Sequence, residues 1–139
     1  MAIYSEIVKL LQMIDNWQQT DEQKYRELCR RIELSVTHAQ HSNVNDFYRI
    51  IHLEYDKLLT LPVKLVFLVF KKANQLNPND RELLLSFSAY LFCHGPQWDR
   101  EAEQIRHLVE EGKMEACCEI AQRITWNDEY YGSRDGNEL

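Results

Sequence analysis

The chain has 139 residues, a length typical of one domain that can bury a core without disulfides or a bound metal. Hydrophobic residues make up 45% and charged residues 27%, with four Gly and three Pro, which is the composition of an ordered chain rich in regular structure. The formal net charge of −6 opposes attraction to phosphate groups and argues against nucleic-acid binding.

The N-terminal pattern and the cysteines predict where the protein resides. No apolar stretch approaches the roughly 20 residues of a membrane span, and the first residues lack the pattern of a signal peptide. The four cysteines have neither the CxxC spacing of a zinc site nor the density of a secreted disulfide scaffold. We therefore expect a cytoplasmic protein with reduced thiols, no membrane association, no metal and no cofactor.

Apolar residues at three- and four-residue spacing predict three helices in the first half of the chain. The first stripe covers residues 3–14 and the second covers residues 25–36. Thr20 stands three residues before Gln23, which is the pattern of a capping box and predicts the start of the second helix. After a break rich in Ser and Asn, a third stripe covers residues 47–59.

The second half predicts four more helices. Residues 63–70 have the composition of a buried strand, but about 15 residues from Pro62 without a Gly favour a buried helix over residues 63–76. Asp80 or Asn79 offers a cap for the fifth helix, and Asp99 offers one for the sixth. Gly112 is the predicted end of that sixth helix.

The helix pattern predicts an all-α fold of about seven helices. Short loops force neighbouring helices to lie antiparallel, so we expect helical hairpins. One domain should cover residues 1–126, with the last helix at 114–126 and a flexible polar tail at 127–139. Either a right-handed superhelix of hairpins or a compact helical bundle agrees with this pattern.

A repeat signal appears in the middle of the chain, because predicted helix starts near Pro62 and Asp99 lie about one 34-residue repeat apart. Residues 47–112 resemble the tetratricopeptide-repeat (TPR) family in the spacing of their large, small and turn positions, although Val66 replaces one expected small residue. The matching positions are Phe70, Ala73, Pro78, Leu84, Phe87, Ser88 and Gly95.

The resemblance implies a noncatalytic adaptor or assembly factor that binds a peptide or protein surface. In TPR arrays the first helices of successive units line a groove, and here these are the third and fifth helices. The implied contact residues are Tyr48, His52, Tyr55, Glu82, Leu85 and Phe92. The acidic chain should prefer a basic or neutral segment, and a homodimer is a further expectation because short arrays leave apolar end faces.

Two other classes of function remain as alternatives. A small acidic immunity or antitoxin-type protein would neutralise a basic toxin and has the same size and charge. A helical enzyme or metal protein is disfavoured, since the sequence lacks a Gly-rich phosphate loop, a GxSxG elbow, an HExxH helix and paired ExxH motifs. We therefore expect no enzymatic activity.

Overall fold

The computed structural model describes residues 2–94 and 96–124, which form α-helices and short 3₁₀ turns without a β-strand. The eight α-helices within these ranges are α1 (Ile3–Asp15), α2 (Glu22–Thr37), α3 (Val44–Ile51), α4 (Tyr55–Leu58), α5 (Val63–Leu76), α6 (Arg81–Phe92), α7 (Asp99–Glu110) and α8 (Met114–Arg123). The all-α prediction is therefore confirmed. The predicted helix end at Trp126 and the tail at 127–139 lie outside the described residues, and one domain over 1–126 stays a prediction.

The prediction of one continuous third helix is wrong, because the structure divides this segment into α3 and α4. His52 ends α3, where its backbone N–H donates to the Tyr48 carbonyl at 2.9 Å. The chain then extends at Glu54, with φ of −57° and ψ of 144°, before α4 starts at Tyr55. None of residues 52–54 is Gly or Pro, so the local sequence carries no mark of this break.

Aspartates cap the N-termini of α2 and α6. Asp21 accepts a hydrogen bond from the Gln23 N–H at 2.8 Å, so the predicted cap at Thr20 is wrong by one residue. The Thr20 hydroxyl instead donates to the Met13 carbonyl at 2.9 Å. Asp80 caps α6 through the first free N–H groups of that helix, as predicted.

The two ends of α7 differ in how well the sequence predicts them. Asp99 is the first residue of α7 and not its cap, which is Trp98 without a side-chain hydrogen bond. At the other end Gly112 has a φ of +75°. The N–H groups of Gly112 and Lys113 donate to carbonyls of the last turn at 3.0 and 2.9 Å, which is a Schellman motif. The predicted end at Gly112 is confirmed.

The described chain divides into two compact units, residues 2–72 and 73–124, with the boundary inside α5. The first unit buries the predicted apolar stripes of α1 to α3, including Ile3, Ile7, Leu10, Ile14, Tyr25, Leu28, Cys29, Ile32, Val36, Phe47, Ile50 and Ile51. The second unit buries the corresponding residues of α6 to α8, including Leu84, Phe87, Leu91, Ala102, Ile105, Val109, Cys117 and Ala121. Helical periodicity therefore identified most of these core positions.

In the first unit α1 packs against α2 and α3. The Tyr4 N–H donates to Oδ2 of Asp46 at 3.1 Å, so a carboxylate of α3 satisfies one of the free N–H groups that begin α1. The guanidinium of Arg49 lies 3.8 Å from the centre of the Tyr4 ring. Glu6 of α1 pairs with Arg31 of α2 at 3.3 Å. Polar contacts thus fix the start of α1 against both neighbours.

In the second unit α6 and α7 form an antiparallel hairpin. Arg81 begins α6, and its Nη1 donates to the carbonyl of Val109 near the end of α7 at 3.0 Å. Ser88 is 2% exposed, and its hydroxyl donates to the Ala102 carbonyl at 2.7 Å. A side chain this small lets the two helices approach closely, as the sequence predicts for Ser88.

Helix α8 packs against both α6 and α7. Its Gln122 donates to Oδ1 of Asn74 and accepts from Nε2 of Gln75, each at 2.8 Å. These hydrogen bonds join α8 to the end of α5 within the second unit.

Candidate functional site

The first group of predicted contact residues lies at the end of α3 in the first unit. Tyr48 is half-buried and His52 is exposed. Their ring centres are 6.2 Å apart, with the planes tilted by 46°. The two rings therefore form one polar-aromatic edge, as the four-residue spacing predicts.

Tyr55 does not continue this edge along the same helix, because it begins α4 beyond the break at residues 52–54. Its side chain is 50% exposed, and Leu59 is 39% exposed. The prediction that Leu59 belongs to the buried stripe is wrong, while Leu58 is buried. Once the helix is interrupted, Tyr55 and Leu59 lie four residues apart on an exposed apolar edge of α4, which periodicity across residues 47–59 could not reveal.

The second group lies on α6 in the second unit, where Glu82, Leu85 and Phe92 share one side of the helix. Glu82 is exposed, Leu85 is half-buried and Phe92 is 43% exposed. Ala89 is half-buried between them. We call these four residues the α6 face. The opposite side of α6 is fully buried, so the helix holds the α6 face on a packed support.

Two surface cavities flank α8, and both are lined by Glu115 and Glu119. Their volumes are about 630 and 660 Å³. Carboxylates four residues apart on a helix attract cationic groups. The sequence did not single out these two residues, since such spacing is also that of an ordinary solvated helix side.

The buried thiols have little nucleophilic character. Burial raises the pKa of Cys29 to about 12 and that of Cys117 to about 11, so both remain protonated near neutral pH. Cys117 faces the core, whereas the adjacent Cys118 is half-buried. All four cysteines are free. The arrangement of Cys29 and Cys117 suits a structural role.

Burial also affects the ring pair at the C-terminal end of α6. The ring centres of Tyr90 and His94 are 4.3 Å apart. Burial raises the pKa of the Tyr90 hydroxyl and lowers the pKa of the His94 imidazole. Both rings therefore favour their neutral forms, and the pair packs as an aromatic contact.

Residues 2–94 and 96–124 hold no group of three or more His, Cys, Asp and Glu side chains suited to a metal ion. No helix in these ranges has both the length and the apolar character needed to cross a bilayer.

The helices and the α6 face can be compared with known proteins. No protein-family model matches the chain, and neither a curated protein nor a solved structure matches it. The structure is all-helical and compatible with a helical repeat-like fold.

Proposed function

We propose that the protein is a noncatalytic interaction module with TPR-like hairpins, and that the α6 face binds a segment of another protein. The observation that carries this proposal is the exposure of Phe92 beside Leu85 on a helix whose other side is packed. Large apolar side chains that stay accessible on a rigid element are typical of protein contacts.

The α6–α7 hairpin supports the TPR-like part of the proposal. Ser88 stands at a position where the resemblance expects a small residue, and its hydroxyl donates to the Ala102 carbonyl at 2.7 Å. In the TPR register α6 is a first helix, which is the kind that lines the binding groove. A helix held by its packed side loses little conformational entropy on binding.

The charges favour a partner with an apolar and basic segment. Glu82 lies at the N-terminal end of the α6 face, and the chain carries a formal net charge of −6. Aliphatic or aromatic side chains of the partner would cover Leu85 and Phe92, while a Lys or Arg would approach Glu82. Charge complementarity of this kind mainly raises the association rate and the selectivity.

The test is quantitative affinity purification from native lysate with a Glu82→Lys/Phe92→Ser variant. Both residues are exposed, so circular dichroism and the melting temperature should match the wild type. The matched control is Glu27→Lys/Leu34→Ser, which makes the same kinds of change at exposed positions of α2, where Leu34 is 61% exposed. We expect a stoichiometric partner to be lost, by at least about tenfold, only from the α6 variant.

A Tyr48→Ala/Tyr55→Ala variant tests the predicted contact residues of α3 and α4 in the same experiment. A partner that is lost from this variant but retained by the α6 variant would contradict binding at the α6 face. The absence of any stoichiometric partner would contradict the interaction module itself.

The acidic surface also favours the second candidate, a neutralising protein of the immunity or antitoxin type. Glu115 and Glu119 add two exposed carboxylates on α8 to the net charge of −6. A purified partner distinguishes the two functions, because a groove binder retains affinity for a short peptide of its partner. A neutralising protein requires the folded enzyme and abolishes its activity.

A further inference from the structure

A cavity of about 420 Å³ lies in the second unit, where the beginning of α7 meets the end of α8. This volume falls in the range of small-molecule sites, about 300–1,000 Å³. Its lining combines an indole ring, aliphatic side chains, one carboxylate and two guanidinium groups, contributed by Trp98, Ile120, Ile124, Glu101, Arg100 and Arg123. The cavity is therefore lined by positively charged, negatively charged and apolar side chains.

Glu101 is the polar group that most requires a partner there. Its Oε2 is buried and receives no hydrogen bond from the described residues. Arg106 of the same helix is engaged elsewhere, since it donates to Oε1 of Glu103 at 3.0 Å. A buried carboxylate oxygen without a donor is costly, and an ammonium group is among the strongest donors for it.

The two arginines of the cavity fit the opposite charge. Arg100 and Arg123 are both exposed side chains, and Nε of Arg123 donates to the carbonyl of Glu119 at 3.4 Å. Guanidinium groups bind carboxylates through paired N–H donors. A simple cation would be repelled by the two arginines, and a simple anion would be repelled by Glu101.

We propose that this cavity binds a small zwitterion, namely a free α-amino acid with an aliphatic side chain. Its ammonium group donates to Glu101, and its carboxylate accepts from Arg123 and Arg100. Its side chain lies against Ile120 and Ile124. Peptide termini are a poorer match, because a terminal residue within a chain carries only one of the two charges. This site is separate from the α6 face and does not depend on the proposed function.

The test is a titration of the full chain with L-leucine, followed by ¹H–¹⁵N NMR at the Trp98 indole. The indole resonance of Trp17, which lies in the first unit, serves as the internal reference. N-acetyl-L-leucine lacks the ammonium group and L-leucinamide lacks the carboxylate. We expect a saturable Trp98 shift with L-leucine below about 10 mM, and at least about tenfold weaker binding of either derivative.

Variants test which side chains bind the ammonium group and the carboxylate of L-leucine. Glu101→Gln keeps the shape of the side chain and should weaken L-leucine binding at least about tenfold. Glu103→Gln, on the same helix but outside the cavity, should bind L-leucine as the wild type does. Arg123→Gln supplies an independent second variant with the same expected loss.

Three results would overturn the site. No saturable shift with L-leucine would mean that the cavity holds water only. Equal affinity for L-leucine and both derivatives would show that neither the ammonium group nor the carboxylate of the ligand contributes to binding. Unchanged affinity for L-leucine in both Glu101→Gln and Arg123→Gln would show that these two side chains do not contact the bound amino acid.

Discussion

Gly112 illustrates how a single backbone angle decides the end of a helix. Its φ of +75° lies in the left-handed region, and a Cβ at this position would meet no atom within 4 Å. Any cost of a side chain there is therefore conformational and not a steric collision with neighbours. The sequence identified this residue because Gly follows the last position of the α7 stripe.

We expect Gly112→Ala to lower the free energy of unfolding by about 1 kcal/mol, since Ala tolerates a positive φ poorly. Gly112→Asn should cost less, because Asn enters the left-handed region more readily. Urea denaturation monitored by circular dichroism measures both values. Equal stability of wild type and Gly112→Ala would contradict a strained conformation at this residue.

At the scale of helices, the close contact of α6 and α7 depends on Ser88. Its side chain is almost fully buried and bonds the Ala102 carbonyl across the helix pair. The tetratricopeptide-repeat resemblance implied a small residue at position 88, where neighbouring helices approach closely. By contrast, the sequence pattern missed the break between α3 and α4, because residues 52–54 contain no helix breaker and the apolar spacing continues through them.

The contact predicts a size-dependent response at position 88. Ser88→Ala should destabilise the protein by about 1 kcal/mol through the lost hydrogen bond. Ser88→Leu should cost more, about 1–3 kcal/mol or above, because overpacking separates the two helices. Urea unfolding curves of the two variants provide the comparison. If Leu were tolerated as well as Ala, the helices would not be in close contact there.

At the scale of the whole molecule, two buried thiols make the free energy of unfolding depend on pH in the alkaline range. Burial raises the pKa of Cys29 to about 12 and of Cys117 to about 11, against an ordinary value of 9.0. The folded state therefore holds these protons more tightly than the unfolded state. The resulting stabilisation is complete below about pH 9 and is lost as the pH rises through about 11 for Cys117 and about 12 for Cys29.

We expect the free energy of unfolding to fall between about pH 9 and 11, and the fall to be shallower in a Cys29→Ala/Cys117→Ala variant. The slope against pH is the measured quantity, because the substitutions also change core packing. Cys93→Ala is the matched control, since Cys93 is exposed. A control with the same reduced slope as the double variant would contradict the role of the buried thiols.

The helical class, the core stripes and the end of α7 followed from residues close in sequence, because helix periodicity, capping and turn chemistry act over a few positions. Of the predicted contact residues, Tyr48 and His52 lie together on α3, and Glu82, Leu85 and Phe92 share one side of α6, as spacing within one helix requires. Only the tertiary structure shows that Tyr55 is separated from α3, that Leu59 is exposed and that an oxygen of Glu101 is buried. These features depend on which surfaces meet across long sequence distances, and tertiary packing alone decides that.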